Sequence, residues 1–250
     1  MENLRFFDCN SMIGARQVKN PGSYYKFDEF IRKMDYYGID NALVCHSTAC
    51  KYQPMMGNRL LMDEIKDYPN LRPMWAVMPH HTGEFPEPGE LRSLLRDNNV
   101  PAVTMLPRDN SYSLDEWICG DLFSMLAESR VPLVISYHQV SFGQLHSIMT
   151  SHPELRVILT NMHYNSARNL YPMLSLFEHL YIETIGFKVH GGIEDVCRKF
   201  GARRLVFGTC APTYAGSAAI GMVTYARISM EEKRRIASEN LERLLEGVKL

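Results

Sequence analysis

Apolar positions along the chain fall into short runs that alternate with stretches of helical spacing. The first run reads as a strand over Arg5–Asp8. Phe27, Phe30, Ile31, Met34 and Tyr37 then recur at the period of one helix face, and Gly38 ends that helix. Further strands are expected at Asn41–Cys45, Arg72–Met78, Ala102–Met105, Leu133–Ser136, Arg156–Thr160, Leu180–Glu183 and Leu205–Gly208. Between them lie helices marked by Leu60, Leu61 and Ile65; by Leu91, Leu94 and Leu95; and by Leu122, Phe123 and Leu126 within Gly120–Ser129. Others carry Leu145, Ile148 and Met149; Ile193, Val196, Cys197 and Phe200; and Ala218, Ala219, Met222 and Val223. A helix over Ala167–Glu178 is expected with Pro172 inside it, which weakens the pattern there. A last helix opens on Ser229 and Glu232 in capping-box spacing and runs through Ile236, Leu241, Leu244 and Leu245.

Eight strand-then-helix units predict a single (β/α)8 TIM barrel over residues 1–250, with an extra C-terminal helix. Alternation alone does not prove closure, so a doubly wound open sheet is the alternative. The chain has 250 residues, about the length such a barrel needs. Its formal net charge of −1 gives no bulk attraction to nucleic acid or to an anionic membrane surface. No apolar run reaches the ~20 residues of a membrane span, and no basic-then-apolar leader opens the chain. Six cysteines without a C-x-x-C pair read as reduced thiols. A cytoplasmic protein is therefore expected.

One stretch organises the rest: Phe6-Phe7-Asp8-Cys9-Asn10-Ser11-Met12-Ile13-Gly14. It has the frame of Asp-x-His-x-His-x-Gly with Asn10 and Met12 in the histidine places. Gly57-Asn58 before a helix, His152-Pro153-Glu154-Leu155-Arg156 entering a strand, and Leu180-Tyr181-Ile182-Glu183-Thr184 follow in order. Arg204-Leu205-Val206-Phe207-Gly208-Thr209 with Pro212, and the segment from Ser229 to Leu244, complete the set. In this order the pieces resemble the second amidohydrolase family, the amidohydrolase-related barrels that include aminocarboxymuconate-semialdehyde decarboxylase-like enzymes. The resemblance implies a TIM barrel, hydrolysis or decarboxylation, a divalent metal (usually zinc) and a homodimer. The family's ligand positions carry over to Asn10, Met12, Ser136, Asn161 and Cys210. None keeps the family residue, and neutral Asn, Ser and Met are poor zinc ligands. A slip of two residues in strands five and six would bring in His138 and His163 instead.

Barrel active sites gather at the C-terminal ends of the strands. His46, His80, His81, Arg108, Tyr137, His138, His163, Tyr164 and Cys210 all fall there. Cys210, His138, His163 and Glu183 are the candidate catalytic groups: a thiol nucleophile, histidines to activate it, and a mouth carboxylate as general base. For Cys210 the alternative is a small apolar filler, and for Glu183 it is pairing with Arg203 or Arg204. Cys9 and Cys45 read as packing residues, and Asp8 as a structural hydrogen-bonding group. Arg108, Tyr137, Tyr164 and His46, with Asn10 and Met12, are the candidate substrate-binding residues, Arg108 as a fork for a carboxylate. Tyr24, Tyr25, Tyr112 and Tyr214 add to a mouth of mixed character. A relocated metal site would need His46, His138, His163 and Cys210 together; otherwise no metal and no cofactor is expected. The expected function is a divergent, zinc-free hydrolase or decarboxylase of a small carboxylated or cyclic molecule. The alternative is a catalytically inactive barrel that binds a small molecule or a protein.

Overall fold

The computed structural model describes residues 4–15 and 22–250. Eight strands form one sheet in the order β1 to β8, each parallel to the next. They are β1 Phe7–Ile13, β2 Asn41–His46, β3 Leu71–Ala76, β4 Ala102–Thr104, β5 Leu133–Ser136, β6 Val157–Thr160, β7 Leu180–Glu183 and β8 Leu205–Val206. The ring closes between β8 and β1. The Cys9 amide donates to the Phe207 carbonyl at 3.0 Å, and the Met12 amide donates to the Ala211 carbonyl at 2.9 Å. This is the predicted TIM barrel, and it displaces the open-sheet alternative.

The helices are α1 Phe27–Tyr37, α2 Ser47–Lys51, α3 Pro54–Ile65, α4 Pro88–Asp97, α5 Glu116–Glu128, α6 Phe142–Ser151, α7 Ala167–Leu176, α8 Gly192–Phe200 and α9 Gly216–Thr224. The last helix comprises α10 Met230–Arg234, a wider π turn at Arg235–Glu239, and α11 Asn240–Glu246. Its predicted start is correct, since Ser229 and Glu232 form the reciprocal capping box. Pro172 does not break α7. It is exposed, so the carbonyl that its missing N–H would have met, on exposed Arg168, is left to water.

Two apolar layers fill the molecule. The outer one lies between the strands and the surrounding helices. The inner one lies within the ring and takes one residue or two from each strand: Phe7 and Cys9, Leu43 and Cys45, then Met74, Ala102, Val134, Ile158, Tyr181 and Val206. Leu241, Leu244 and Leu245 of α11 belong to this inner layer. Asn240 Nδ2 donates to the carbonyls of Ala202 and Leu205, and Arg156 donates to that of Leu244. Those partners sit where strands begin, so α11 plugs the N-terminal end of the barrel.

β1 corrects the predicted Arg5–Asp8 strand. It runs on to Ile13 because a bulge lets it absorb an extra residue. Asp8 pairs with Ala42 and Ser11 with Val44, so three steps on β1 match two on β2. Around the bulge Cys9 enters the inner layer and Asn10 also reaches inward. α5 starts four residues earlier than predicted, because exposed Glu116 and Trp117 lie off the buried face that marks the helix. Leu60 faces outward rather than into the core.

The Gly57-Asn58 pair has a packing cause. Asn58 is fully buried, and its amide exchanges hydrogen bonds of 2.9 and 3.0 Å with the backbone of Ala76 on β3. A Cβ on Gly57 would stand 1.9 Å from the backbone nitrogen of Ala49 on α2. Gly57→Ala is therefore expected to cost ~2–3 kcal/mol, the penalty of overpacking against backbone. Urea unfolding would measure it, and a loss under ~0.5 kcal/mol would contradict the packing argument.

Candidate active site at the barrel mouth

The inward-facing side chains change character toward the C-terminal ends of the strands. On β7, Tyr181 lies in the apolar inner layer, and Glu183, two residues on, lies on the same side. Glu183 has 0 % exposure. One carboxyl oxygen accepts from Asn10 Nδ2 at 2.8 Å, and the other accepts from the Asn161 amide at 2.8 Å. Asn161 Nδ2 in turn reaches Ser136 Oγ at 3.4 Å. Asn10 at the β1 bulge, and Met12, Ser136, Asn161 and Cys210 at or near strand ends, are all half-buried, with the carboxyl buried among them. Room for Glu183 comes from Gly208, whose added Cβ would lie 2.5 Å from a Glu183 carboxyl oxygen. Burial, chiefly, lifts the Glu183 carboxyl from 4.5 to about 7; the donors Asn161 and Asn10 oppose the rise, and Asp8 adds to it. The Arg203 and Arg204 alternative is excluded. Arg203 faces Glu178 at 3.4 Å, and Arg204 donates to the Leu180 carbonyl at the other end of β7.

Asp8, 1 % exposed, forms a second polar knot beside the first. Its Oδ1 accepts from the backbone amides of Asn10 and Thr209 at 3.0 and 2.9 Å. Its Oδ2 accepts from the hydroxyls of Ser11, at 2.5 Å, and Thr209. It therefore ties β1 to the segment after β8, which is the structural role expected of it. Burial raises its carboxyl above the ordinary range despite these donors. The sequence reading has Thr209 within the eighth-strand motif but not as Asp8's partner, since it is 201 positions from Asp8 and meets it only when the ring closes. Asn161 was placed at the metal position but not as a holder of Glu183. Its positive φ of 54°, shared by Cys210, is a backbone feature that no side-chain pattern reveals.

The four members of the relocated metal set do not converge. His46 is buried outside the inner layer: its Nδ1 accepts from the Thr48 amide at 3.1 Å and its Nε2 lies 3.7 Å from Glu64. Burial lowers its pKa, against the pull of Glu64, so the ring is neutral. His138 is exposed against Tyr137, with ring centroids 5.8 Å apart. His163 is exposed, bonded through Nδ1 to Asn165 at 2.6 Å and stacked on Tyr164 at 4.3 Å. Cys210 is half-buried at the mouth. Among the described residues, no three or more His, Cys, Asp or Glu side chains form a group that could hold a metal ion. The two mouth carboxylates already have both oxygens occupied by donors. The donor set thus does not fit a divalent ion, which asks for several free oxygen or imidazole ligands.

Of the other candidates, Arg108 is exposed, with its amide donating to Gln139 at 3.0 Å. Tyr137 is half-buried against Phe142, and Tyr164 is 63 % exposed. Tyr24, Tyr25 and Tyr112 are half-buried, and Tyr214 is exposed under Lys188, whose Nζ lies 4.4 Å from its ring centre. His80 and His81 pack against each other with ring centroids 4.2 Å apart, and His81 Nε2 lies 3.2 Å from the Ile118 carbonyl oxygen. Cys9 and Cys45 are buried in the inner layer, as expected, and the described cysteines form no disulfide.

No protein-family profile and no curated protein sequence matches the chain. Solved structures do. The 2,6-dihydroxybenzoate decarboxylase from Rhizobium is 16% identical, with a TM-score of 0.77 over 98% of this chain and 99% of its own. A dihydroxybenzoic acid decarboxylase from Polaromonas, solved with manganese and 2-nitroresorcinol, is 15% identical, with a TM-score of 0.74 over 98% and 97%. A proposed amidohydrolase from Staphylococcus aureus is 15% identical, with a TM-score of 0.76 over 97% and 100%. At this level of identity the likeness concerns architecture alone: the chain has the same barrel fold as these proteins.

Proposed function

We propose that this protein is a metal-independent enzyme of the barrel mouth, a decarboxylase or hydrolase of a small carboxylated or cyclic molecule, with Glu183 as its proton-transfer group. The observation that carries the reading is the Glu183 carboxyl. It is buried at a strand end, held between Asn10 and Asn161, and poised to gain or lose a proton at about 7. The decarboxylases that share the fold act on hydroxylated aromatic carboxylates, which favours that substrate class here. In such a step the substrate's carbon–carbon bond breaks and carbon dioxide leaves. The electron pair stays on the ring carbon, and protonated Glu183 supplies the proton that replaces the carboxyl group. Asn10 is the gate: a substrate oxygen that takes its Nδ2–H releases the carboxyl oxygen it covers. Cys210, Met12, Ser136 and Tyr137 line the approach, and Arg108 on the strand-four loop offers a fork to the carboxylate. His138 and His163 act as mouth residues that meet the substrate, not as ligands.

The test is turnover in the presence of a chelator, using 2,6-dihydroxybenzoate, related hydroxybenzoates and small lactones. Glu183→Gln is expected to lower the rate by ~10²-fold or more, and the wild-type rate should fall as pH rises past about 7. An unchanged rate in the variant would refute the role of Glu183. The second reading is a non-catalytic binding barrel. It is favoured by one fact: both Glu183 oxygens already have partners, so the network is complete without a substrate. A panel without turnover, in which one compound raises the melting temperature, would decide for binding.

A further inference from the structure

Four of the six cysteines and Met12 gather around the mouth ends of β1, β2 and β8. Cys45 Sγ lies 3.7 Å from Cys50 Sγ and 3.6 Å from the Ser11 carbonyl oxygen. Met12 pairs in register with Cys45 across the β1–β2 ladder. Cys9 shares the inner layer with both thiols, and Cys210 is close enough for its charge to act on Cys9 and Cys45 alike. The position of Cys50 is fixed from two sides. The His46 ring caps α2 by accepting from the Thr48 amide, and the backbone of Ala49 is seated directly against Gly57 of α3. Two thiols are thus held side by side on rigid elements, 4 % and 1 % exposed, with soft sulfur neighbours and no carboxylate between them.

We propose that Cys45 and Cys50 form a two-coordinate site for a cuprous ion. Sulfur ligands suit this soft monovalent ion and disfavour hard manganese, and the number of ligands separates it from zinc. Zinc needs about four ligands, and no third His, Cys, Asp or Glu donor joins a group of that kind among the described residues. A cuprous ion is content with two thiolates in line. Distance separates this reading from a disulfide. With a metal–sulfur bond of ~2.3 Å, a linear bridge spans ~4.6 Å, so the pair, now 3.7 Å apart, need open by under ~1 Å. A disulfide of ~2.05 Å would require it to close by ~1.6 Å. On binding, each thiol gives its proton to solvent, two copper–sulfur bonds form, and no electron moves, since the ion arrives already reduced. Half-buried Met12 and Cys210 lie at the mouth beside the pair and give a sulfur-lined path inward. The site is independent of the proton-transfer role of Glu183 and survives if that role fails.

The experiment titrates reduced protein, without oxygen, against cuprous ion held by bicinchoninate. One equivalent should be withdrawn from the chelator, and X-ray absorption of the loaded protein should show two sulfur neighbours and no nitrogen or oxygen. Cys50→Ser should weaken the affinity at least 100-fold, while Cys119→Ser, in the outer apolar layer on α5, should leave it unchanged. Should Cys50→Ser not fold, Cys50→Ala in the inner layer serves the same purpose. No withdrawal of copper, a nitrogen or oxygen neighbour in the spectrum, or undiminished affinity in both Cys50 variants would each overturn the proposal.

Discussion

Asp8→Ala is expected to destabilise the protein by ~3–5 kcal/mol, whereas Asp8→Asn should cost under ~1 kcal/mol. The asymmetry follows from which atom accepts what. Alanine strands two buried backbone amides, those of Asn10 and Thr209, which both donate to Oδ1. Each stranded donor costs ~1–3 kcal/mol. It also releases the tie between β1 and the segment after β8 on which ring closure depends. Asparagine keeps an oxygen for both amides. Its NH2 then faces the hydroxyls of Ser11 and Thr209, which now donate to Oδ2 but can rotate to accept. It also removes a carboxyl whose ionisation burial already disfavours. For a chain of this size each kcal/mol moves the melting point by roughly 2–4 °C, so the alanine variant should melt on the order of 10 °C lower. Equal losses in the two variants would mean that the charge, and not the hydrogen-bond geometry, holds the closure.

Wild-type stability should fall with rising pH between about 4.5 and 7, relative to Glu183→Gln, by ~3 kcal/mol in all. In the unfolded chain Glu183 loses its proton near 4.5, while in the fold it keeps it until about 7. Across that window the folded state binds more protons than the unfolded one, so each step up in pH favours unfolding. The contribution is fully present below 4.5 and gone above 7. Asp8 shifts in the same direction, but it is common to both proteins and cancels in the difference. Denaturant unfolding of the two proteins at pH 4.5, 6 and 8 measures it. Parallel curves would show that Glu183 ionises as it does in water and would remove the basis for its proposed chemistry.

Two strands were legible down to the residue, while the sixth starts one residue later and the eighth ends two residues earlier than expected. Leu133–Ser136 and Leu180–Glu183 agree at both ends, because each is bounded by a turn or proline and buried on both faces. β1 was not, because its bulge places polar Asn10 and Ser11 in the middle of a paired strand. α2 escaped notice since five residues carry less than two turns of period. At the site, the sequence located Glu183 and Asn10 but not the bond between them, which spans 173 positions and exists only in the closed ring. The histidines misled for a related reason. Their positions after strand ends were readable, but the directions of their rings were set by local partners such as Asn165 for His163 and Thr48 for His46.

The plug formed by α11 bears on how the molecule comes into being on the ribosome. The eight strands are made in the same order in which they sit around the ring, so neighbours can pair as they emerge. Leu241, Leu244 and Leu245 come after all of them, yet they cover the apolar interior that Phe7 and Leu43 begin to line early in synthesis. The first-made part of the core therefore waits for one of the last-made parts. Until then it offers an oily opening to chaperones, or to other growing chains.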